Sequence, residues 1–482
     1  MINFKLIFRI LGFLLVVEGI AILISLLVAL IYDGPDTMAL LQSSLICLIT
    51  GSTVLIICRK AVKGIGKREG FIIVSLAWLM FSLFGSLPFI LSHSIPDLTN
   101  AFFETMSGFT TTGSSILNDI ESLPHGILFW RSMTQWLGGM GIIVLSLAIL
   151  PIFGIGGMQL FAAEVPGPVA DKLSPRIQVT AKRLWVIYVF FTLLETVLLW
   201  IGGMSFFDAI NHSLTTMATG GYSTKQASIA FWDSPFIQYT IIFFMIIAGT
   251  NFTVSYFVLT GKFRKAFENE ELRYYLFFIL GFTLLIFAGL FISTELGLEQ
   301  SFRDSLFQVV SIITTTGYAT VNYLHWTPFL TIVLFSVFFF GGSAGSTGGG
   351  LKIMRVVLLL KNSYYELRRI IHPNAIIPVR FNEKVVSEQI ITNVLAFFMF
   401  YLSVFFASTI LLMLVLPDLP SAMGAVATSL GNIGPGLGIF GPAENFYNLH
   451  PAGKWFLSFL MLLGRLELFT VLVLFSPAFW KK

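Results

Sequence analysis

The sequence predicts an all-α polytopic membrane protein, and three observations lead there. Of 482 residues, 56% are hydrophobic and only 11% charged, with 50 Phe, too little charge to cover a soluble protein of this size. Apolar runs of about 20 residues or more recur along the chain, each long enough to cross a hydrocarbon core of roughly 30 Å. After an N-terminal helix pair, a unit of helix, short re-entrant segment and helix occurs four times, giving ten transmembrane crossings.

The run from Ile7 to Tyr32 is too long for a signal-peptide core and has no small-residue cleavage site. A second run follows at 37–58, so both read as retained helices of an N-terminal pair, residues 1–69. The first repeat, 70–160, has apolar runs at 70–94 and 126–150; the second, 161–265, has them at 181–203 and 234–260. In the third, 266–380, the runs are 273–296 and a broken 326–360; in the fourth, 381–482, they are 387–416 and 451–475.

Charge orients these spans. Basic residues cluster at Lys5 and Arg9, Arg59 to Arg68, Lys172 to Arg183, Lys262 to Arg273 and Lys352 to Lys384; with Lys481 and Lys482 they account for 24 of the 29 Lys and Arg. The opposite loops hold mainly acids, among them Asp33, Asp36, Asp97, Asp119, Glu121, Asp208 and Asp233. By the positive-inside rule both termini are cytoplasmic and the number of crossings is even. Beside transmembrane ends these clusters are topological, so nucleic acid is not an expected partner. Cys47 and Cys58 both lie in the second apolar run, which excludes a disulfide framework or a thiolate metal site as an organising feature.

The segment between the two helices of each unit is too short and too polar to span. The four read Asn100 to Gly113, Asp208 to Gly221, Asp304 to Gly317 and Ala422 to Gly434. Each has a helical stretch of about ten residues, then a small polar or Gly-rich kink, and the aligned glycines are 108, 96 and 117 residues apart. Internal duplication of this kind is common in transport folds. A helix that stops halfway through the membrane points its negative C-terminal end at the centre. The irregular backbone after it is tolerated only where it is buried in protein or lines a wet cavity. Four such loops around one axis can form rings of carbonyl oxygens that replace the hydration shell of a cation. One Thr-Thr-Thr-Gly alone reads as a turn; four at one topological position read as a selectivity filter.

At these residues the chain resembles the bacterial TrkH, TrkG and KtrB superfamily of potassium uptake proteins, its TrkH branch in particular. The resemblance also runs through Pro88-Phe-Ile, Trp136-Leu-Gly-Gly-Met-Gly-Ile-Ile-Val, Gly156-Gly-Met-Gln-Leu, Gly341 to Lys352, His372-Pro-Asn, Gly434-Pro-Gly-Leu-Gly438 and Gly464-Arg-Leu-Glu-Leu-Phe469. It covers essentially the whole chain, including the N-terminal helix pair that the shorter KtrB type lacks. It implies K⁺ as the transported ion, with Gly113, Gly221, Gly317 and Gly434 as the filter glycines. The coordinating carbonyls would be those of Thr111 and Thr112, Thr219 and Gly220, Thr315 and Thr316, and Asn432 and Ile433. In related plant transporters a Ser in the first loop accompanies Na⁺ transport; here all four positions are Gly. Gly220 and Ile433 stand where loops one and three have Thr, so the hydroxyls are not four-fold symmetric. The resemblance further implies a homodimer with a pore in each protomer, in the bacterial inner membrane, regulated by a cytosolic TrkA-like nucleotide-binding subunit. That subunit is expected at the basic loops 261–273 and 352–384. No organic cofactor motif occurs in the chain itself.

Two further features bear on the pore. Gly341, Gly342, Ser343, Ala344, Gly345, Ser346, Thr347, Gly348, Gly349 and Gly350 break the run 326–360, since each Gly costs a helix roughly 1 kcal/mol relative to Ala. A packing kink is one reading and a mobile barrier below the filter, as the resemblance implies, is the other. A phosphate-binding loop is excluded, because neither an adjacent Gly-Lys-Ser/Thr nor a preceding strand is present. Arg465 lies within the last apolar helix, where a charge is expensive. It could lock helices through an ion pair with Glu195 or Glu467, or place a positive charge near the pore as a gate. Glu18 and Arg131 read as structural or interfacial, and His212 and His325 have no metal-ligand spacing. An intramembrane serine protease at Ser343 is the rival class, but it needs a His base and leaves the four loops unexplained. The chain is therefore expected not to be an enzyme.

Overall fold

The computed structural model describes residues 2–59, 66–141 and 177–481. The Gly156-Gly-Met-Gln-Leu stretch, Lys60, Lys63, Lys172, Arg176, Lys482 and the second half of the run 126–150 lie outside the described residues. Among the described residues, six helices are long and apolar enough to cross a membrane: α1 (Phe4–Ile31), α2 (Thr37–Ile57), the span Lys67–Leu91, then Ala181–Ile201, Glu270–Ser293 and Glu388–Leu412.

Two of the expected spans are bent. Pro235–Ala248 and Phe252–Leu259 meet at 111°, and Pro451–Arg465 and Phe469–Phe475 at 109°. The run 326–360 forms two helices, Pro328–Val337 and Ile353–Ile371, separated by the glycine-rich loop. The run 126–150 begins as the helix His125–Trp136 and passes into a π-helical turn, Leu137–Gly141. An inserted residue of this type widens a helix and frees carbonyls from the ordinary ladder.

Small residues let the N-terminal pair approach closely: a Cβ on Gly51 would lie 2.7 Å from Gly12 O. The Ser44 hydroxyl donates to Gly19 O at 2.9 Å in the same seam. Asp36 ties the pair to the first repeat by accepting from the Ile127 N–H at 2.8 Å. The long spans leave much of their apolar surface open, as expected of faces that meet lipid; only six residues of Glu270–Ser293 are buried. Four short helices behave in the opposite way. Leu98–Phe109, Phe206–Met217, Leu298–Ile313 and Leu419–Gly431 are mostly buried, with exposure confined largely to their first turns. Three start on a side-chain cap: Asp97 accepts from Asn100 N–H, Ser205 from Asp208 N–H and Asp418 from Ser421 N–H. The fourth starts at Gly297.

Candidate functional site

Each short helix ends in the same turn. Thr111, Thr219, Thr315 and Asn432 are all left-handed, with φ of 55°, 53°, 59° and 53°. A β-branched Thr is rare there and costs on the order of 1–3 kcal/mol, so the surroundings must over-determine it. They do, through paired bonds that close the helix end. Thr112 N–H reaches Ser107 O at 2.8 Å while Thr111 N–H reaches Gly108 O at 2.9 Å. Gly220 to Thr215 and Thr219 to Thr216 repeat this, as do Thr316 to Ser311 and Thr315 to Ile312. In the fourth loop Ile433 N–H reaches Thr428 O at 3.0 Å.

Two residues on, Gly113, Gly221, Gly317 and Gly434 have φ of 83°, 75°, 80° and 109°. Their neighbours close a circle. A Cβ on Gly113 would lie 2.2 Å from Gly220 O, one on Gly221 1.9 Å from Thr316 O, one on Gly317 1.8 Å from Ile433 O and one on Gly434 2.9 Å from Thr112 O. Loop one therefore abuts loop two, two abuts three, three abuts four, and four returns to one. All four glycines line one cavity of about 80 Å³, with Ser114, Tyr222 and Pro435 among its other walls. The residues after the first three glycines fasten their loops to the preceding one around the circle. Tyr222 donates to Glu104 O at 2.7 Å, Tyr318 to His212 O at 3.1 Å, and Ser114 to Gly434 O at 2.9 Å.

Behind this ring sits a buried ion pair, Arg131 Nε to Glu104 Oε1 at 2.7 Å. Glu104 also accepts from Ser115 Oγ and Ile116 N–H, Arg131 donates to Ser223 O, and its guanidinium lies 3.6 Å from the centre of the Tyr222 ring. His212 bonds to Asp208 O and Ser223 Oγ, consistent with a structural role.

The glycine-rich loop lies against the C-terminal ends of the short helices. Gly349 N–H donates to Thr315 Oγ1 at 2.8 Å, and the Thr347 hydroxyl to Met217 O at 3.1 Å. A Cβ on Gly348 would be 3.0 Å from Thr314 O and one on Gly349 2.7 Å from Gly431 O, so side chains are excluded by the close approach. The bent span supplies further anchors: Ser343 N–H donates to Gly249 O at 2.8 Å, and Gly345 O accepts from Phe252 N–H at 3.2 Å. Glu271 holds the ends of the loop, accepting from Ala344 N–H at 2.7 Å and Met354 N–H at 3.3 Å. Lys352 Nζ turns back onto Gly348 O at 2.6 Å. The Ser343 hydroxyl makes no hydrogen bond among the described residues, so the His–Ser contact of a protease is not formed.

Arg465 joins these parts. It donates to Thr111 Oγ1 at 3.0 Å, Thr347 O at 2.8 Å, Gly138 O at 2.6 Å and Gly139 O. Glu467, offered by the sequence as its partner, pairs with Arg355. The two residues are separated by the sharp bend after Arg465, where Glu467 and Leu468 are both left-handed. Sequence reasoning also missed Gln135, whose amide donates to Gly220 O at 2.6 Å and accepts from Tyr222 N–H at 3.0 Å. A buried polar residue in an apolar helix was the available signal.

Comparison with known proteins agrees with this architecture. The TrkH family model, described as a cation transport protein, matches residues 36–482. The Trk system potassium uptake protein TrkH of Escherichia coli (strain K12) is 44% identical, with 100% of each chain covered. TrkG of the same organism is 34% identical over 98% of this chain and 97% of its own length. The crystal structure of the potassium transporter TrkH from Vibrio parahaemolyticus superposes with a TM-score of 0.89 at 37% identity, covering 100% of both chains. This chain belongs to the TrkH family of cation transport proteins.

Proposed function

We propose that the chain takes up K⁺ across the cytoplasmic membrane through the four-loop ring, with N- and C-termini on the cytosolic side. The observation that carries this reading is the closed circle of glycines and carbonyls at Gly113–Gly220, Gly221–Thr316, Gly317–Ile433 and Gly434–Thr112. Oxygens presented by left-handed loops at the ends of four inward-pointing helices supply the partial negative charge that a dehydrated monovalent cation requires. The relatives named for potassium uptake support K⁺ as the ion.

Residues Gly341–Gly350 act as the barrier beneath the filter, since they bond to Met217 O and Thr315 Oγ1 at the inner ends of two loops. Arg465 places a fixed positive charge there and couples barrier to filter through Thr347 O and Thr111 Oγ1. A cytosolic regulator of the TrkA type would dock on the basic segments 261–273 and 352–384. Their close association supports one shared surface: Lys361 pairs with Glu270, and Glu270 and Asn382 exchange bonds at 2.8 Å. The functional unit would be a homodimer with a pore in each protomer.

Flux into liposomes containing purified protein tests the reading, with K⁺, Rb⁺, Na⁺ and Li⁺ compared under one gradient. Preference for K⁺ and Rb⁺ is expected. Equal or greater Na⁺ flux would keep the architecture and overturn the assigned ion.

A further inference from the structure

The second loop has Gly220 where loops one and three carry Thr112 and Thr316 and loop four carries Ile433. In loops one and three the hydroxyl pairs within the loop, Thr112 Oγ1 with Thr110 Oγ1 and Thr316 Oγ1 with Thr314 Oγ1, both at 2.8 Å, and Thr112 Oγ1 also accepts from Asn432 Nδ2 of loop four at 2.9 Å. Loop two has neither hydroxyl: Gly220 replaces one and Ala218 the other. The vacant space is nevertheless filled. A Cβ on Gly220 would lie 2.4 Å from Gln135 Cδ, 2.5 Å from Oε1 and 2.8 Å from Nε2, so the Gln135 amide stands where a side chain of loop two would begin.

We infer that Gln135, from the second helix of repeat one, is a selectivity-determining positioning residue that substitutes for the missing Thr of loop two. The inference rests on the filter reading above. Its geometry is a two-point clamp: Nε2 donates to Gly220 O at 2.6 Å and Oε1 accepts from Tyr222 N–H at 3.0 Å, one bond on each side of Gly221. Both amide ends are used, so the orientation of the side chain is set by its partners. Gln135 is fully buried, and the clamp leaves neither polar end unsatisfied. Arg131, one helical turn earlier on the same face, bonds to Ser223 O and extends the strut along loop two.

The clamp has a chemical consequence for the ring. Among the described residues, Gly220 O receives a side-chain hydrogen bond, and no such bond is made to Thr112 O, Thr316 O or Ile433 O. A carbonyl that already shares electron density with an N–H donor has less to offer a cation. It is also held more stiffly against inward collapse around a smaller ion. Gln135 thus trades ligand strength at one oxygen for a fixed position, and discrimination against Na⁺ depends on that fixed position.

The test measures K⁺ and Na⁺ flux in liposomes, with membrane abundance and thermal stability followed in parallel. Gln135→Ala is expected to lower the K⁺/Na⁺ flux ratio about fivefold to thirtyfold, the scale set by losing one or two buried neutral hydrogen bonds. Gln135→Met, which keeps the bulk without donor or acceptor, is expected to do the same. Gly220→Thr alone should also lower the ratio, because its side chain collides with the amide. The double variant Gln135→Ala/Gly220→Thr should recover part of the lost discrimination, since the restored side chain occupies the vacated space. A purely structural residue would change abundance and stability without this reciprocal rescue. An unchanged ratio in Gln135→Ala and Gln135→Met at normal abundance overturns the inference. Loss of protein from the membrane in both single Gln135 variants and in the double variant also overturns it, making Gln135 a folding residue. Gly113→Ser in the same assay separates the two levels. If it lowers discrimination while the Gln135 variants do not, only this inference fails. If it too leaves the ratio unchanged in a folded protein, the filter reading fails with it.

Discussion

Placing a methyl group at each of the four glycines, one at a time, should damage ion discrimination to different degrees, and the order follows from the geometry. All four positions have positive φ, so Ala pays a common conformational cost on the order of 1–2 kcal/mol. The steric part differs. The added Cβ would approach a neighbouring carbonyl oxygen to 1.8 Å at Gly317, 1.9 Å at Gly221, 2.2 Å at Gly113 and 2.9 Å at Gly434. Non-bonded carbon–oxygen contacts rarely fall below about 3.3 Å. The first three therefore force backbone movement of about 1 Å or more, and the fourth a few tenths of an ångström. A misplacement of about 1 Å at a reacting or coordinating centre can cost on the order of a hundredfold. The K⁺/Na⁺ flux ratio in liposomes should therefore fall most for Gly317→Ala and Gly221→Ala, less for Gly113→Ala and least for Gly434→Ala. Membrane abundance must be matched for the comparison. The reasoning is refuted if Gly434→Ala is as damaging as Gly317→Ala, or if all four folded variants discriminate as the parent does.

Other variants probe the barrier and its control. Deleting Gly345 to Gly349 should raise K⁺ flux, whereas a loss of flux at normal abundance would assign the loop a packing role. Glu271→Gln keeps the shape but weakens a charged acceptor for Ala344 and Met354 N–H. Loss of about 1 kcal/mol from the closed arrangement would increase the open population about fivefold, readable as basal flux; unchanged flux would mean that this anchor does not hold the barrier. Arg465→Gln removes the positive charge from beside the filter and most of the bonds to Gly138, Gly139 and Thr347. Faster K⁺ flux is expected, and slower flux in a stable variant would argue against its blocking role. Lys361→Ala should preserve basal flux while weakening the response to an added cytosolic nucleotide-binding subunit, measured as flux with and without that partner.

The loops were legible because duplication leaves a local record: four glycines at similar positions in four similar stretches. Their closure into a circle is a tertiary relation, and so is the role of Gln135, whose partners Gly220 and Tyr222 are 85 and 87 positions away. The left-handed conformation of Thr111, Thr219 and Thr315 was hidden for another reason. Thr disfavours positive φ, and the paired bonds at the helix ends that impose it have no residue signature. Arg465 was visible as a costly charge, but the Thr347, Gly138 and Gly139 groups it bonds are backbone carbonyls, which every residue carries. Apolar runs marked where the chain is membrane-soluble without recording direction. The run 234–260 bends by 111° because Gly249 and Ala248 offer their carbonyls to Ser343 and Thr347 of the glycine-rich loop, and Asn251 starts a new helix by accepting from Thr253 N–H.

On the proposed reading, the same contacts give a route from the helix Ile353–Ile371 to the four-loop ring. The helix Ile353–Ile371 is covalently continuous with the glycine-rich loop, and Glu271 bonds to Ala344 in the loop and to Met354 at the start of that helix. At the other end of the loop, Lys352 folds back onto Gly348 O while Arg355 pairs with Glu467, just beyond Arg465. Displacing the helix must therefore disturb contacts at Ala344, Gly348 and Glu467 together, and Arg465 carries that disturbance to Thr111 Oγ1 in the first loop. A cytosolic partner can shift this equilibrium only by binding one position of the helix more tightly than the other. The basic, partly exposed surface around Lys361 and Arg369 is where such differential binding would act. Because hydrogen bonds to charged groups are worth about 1.5 kcal/mol or more each, a partner that releases three of them needs a preference of roughly 4.5 kcal/mol, a factor of about 2,000 in affinity between the two positions.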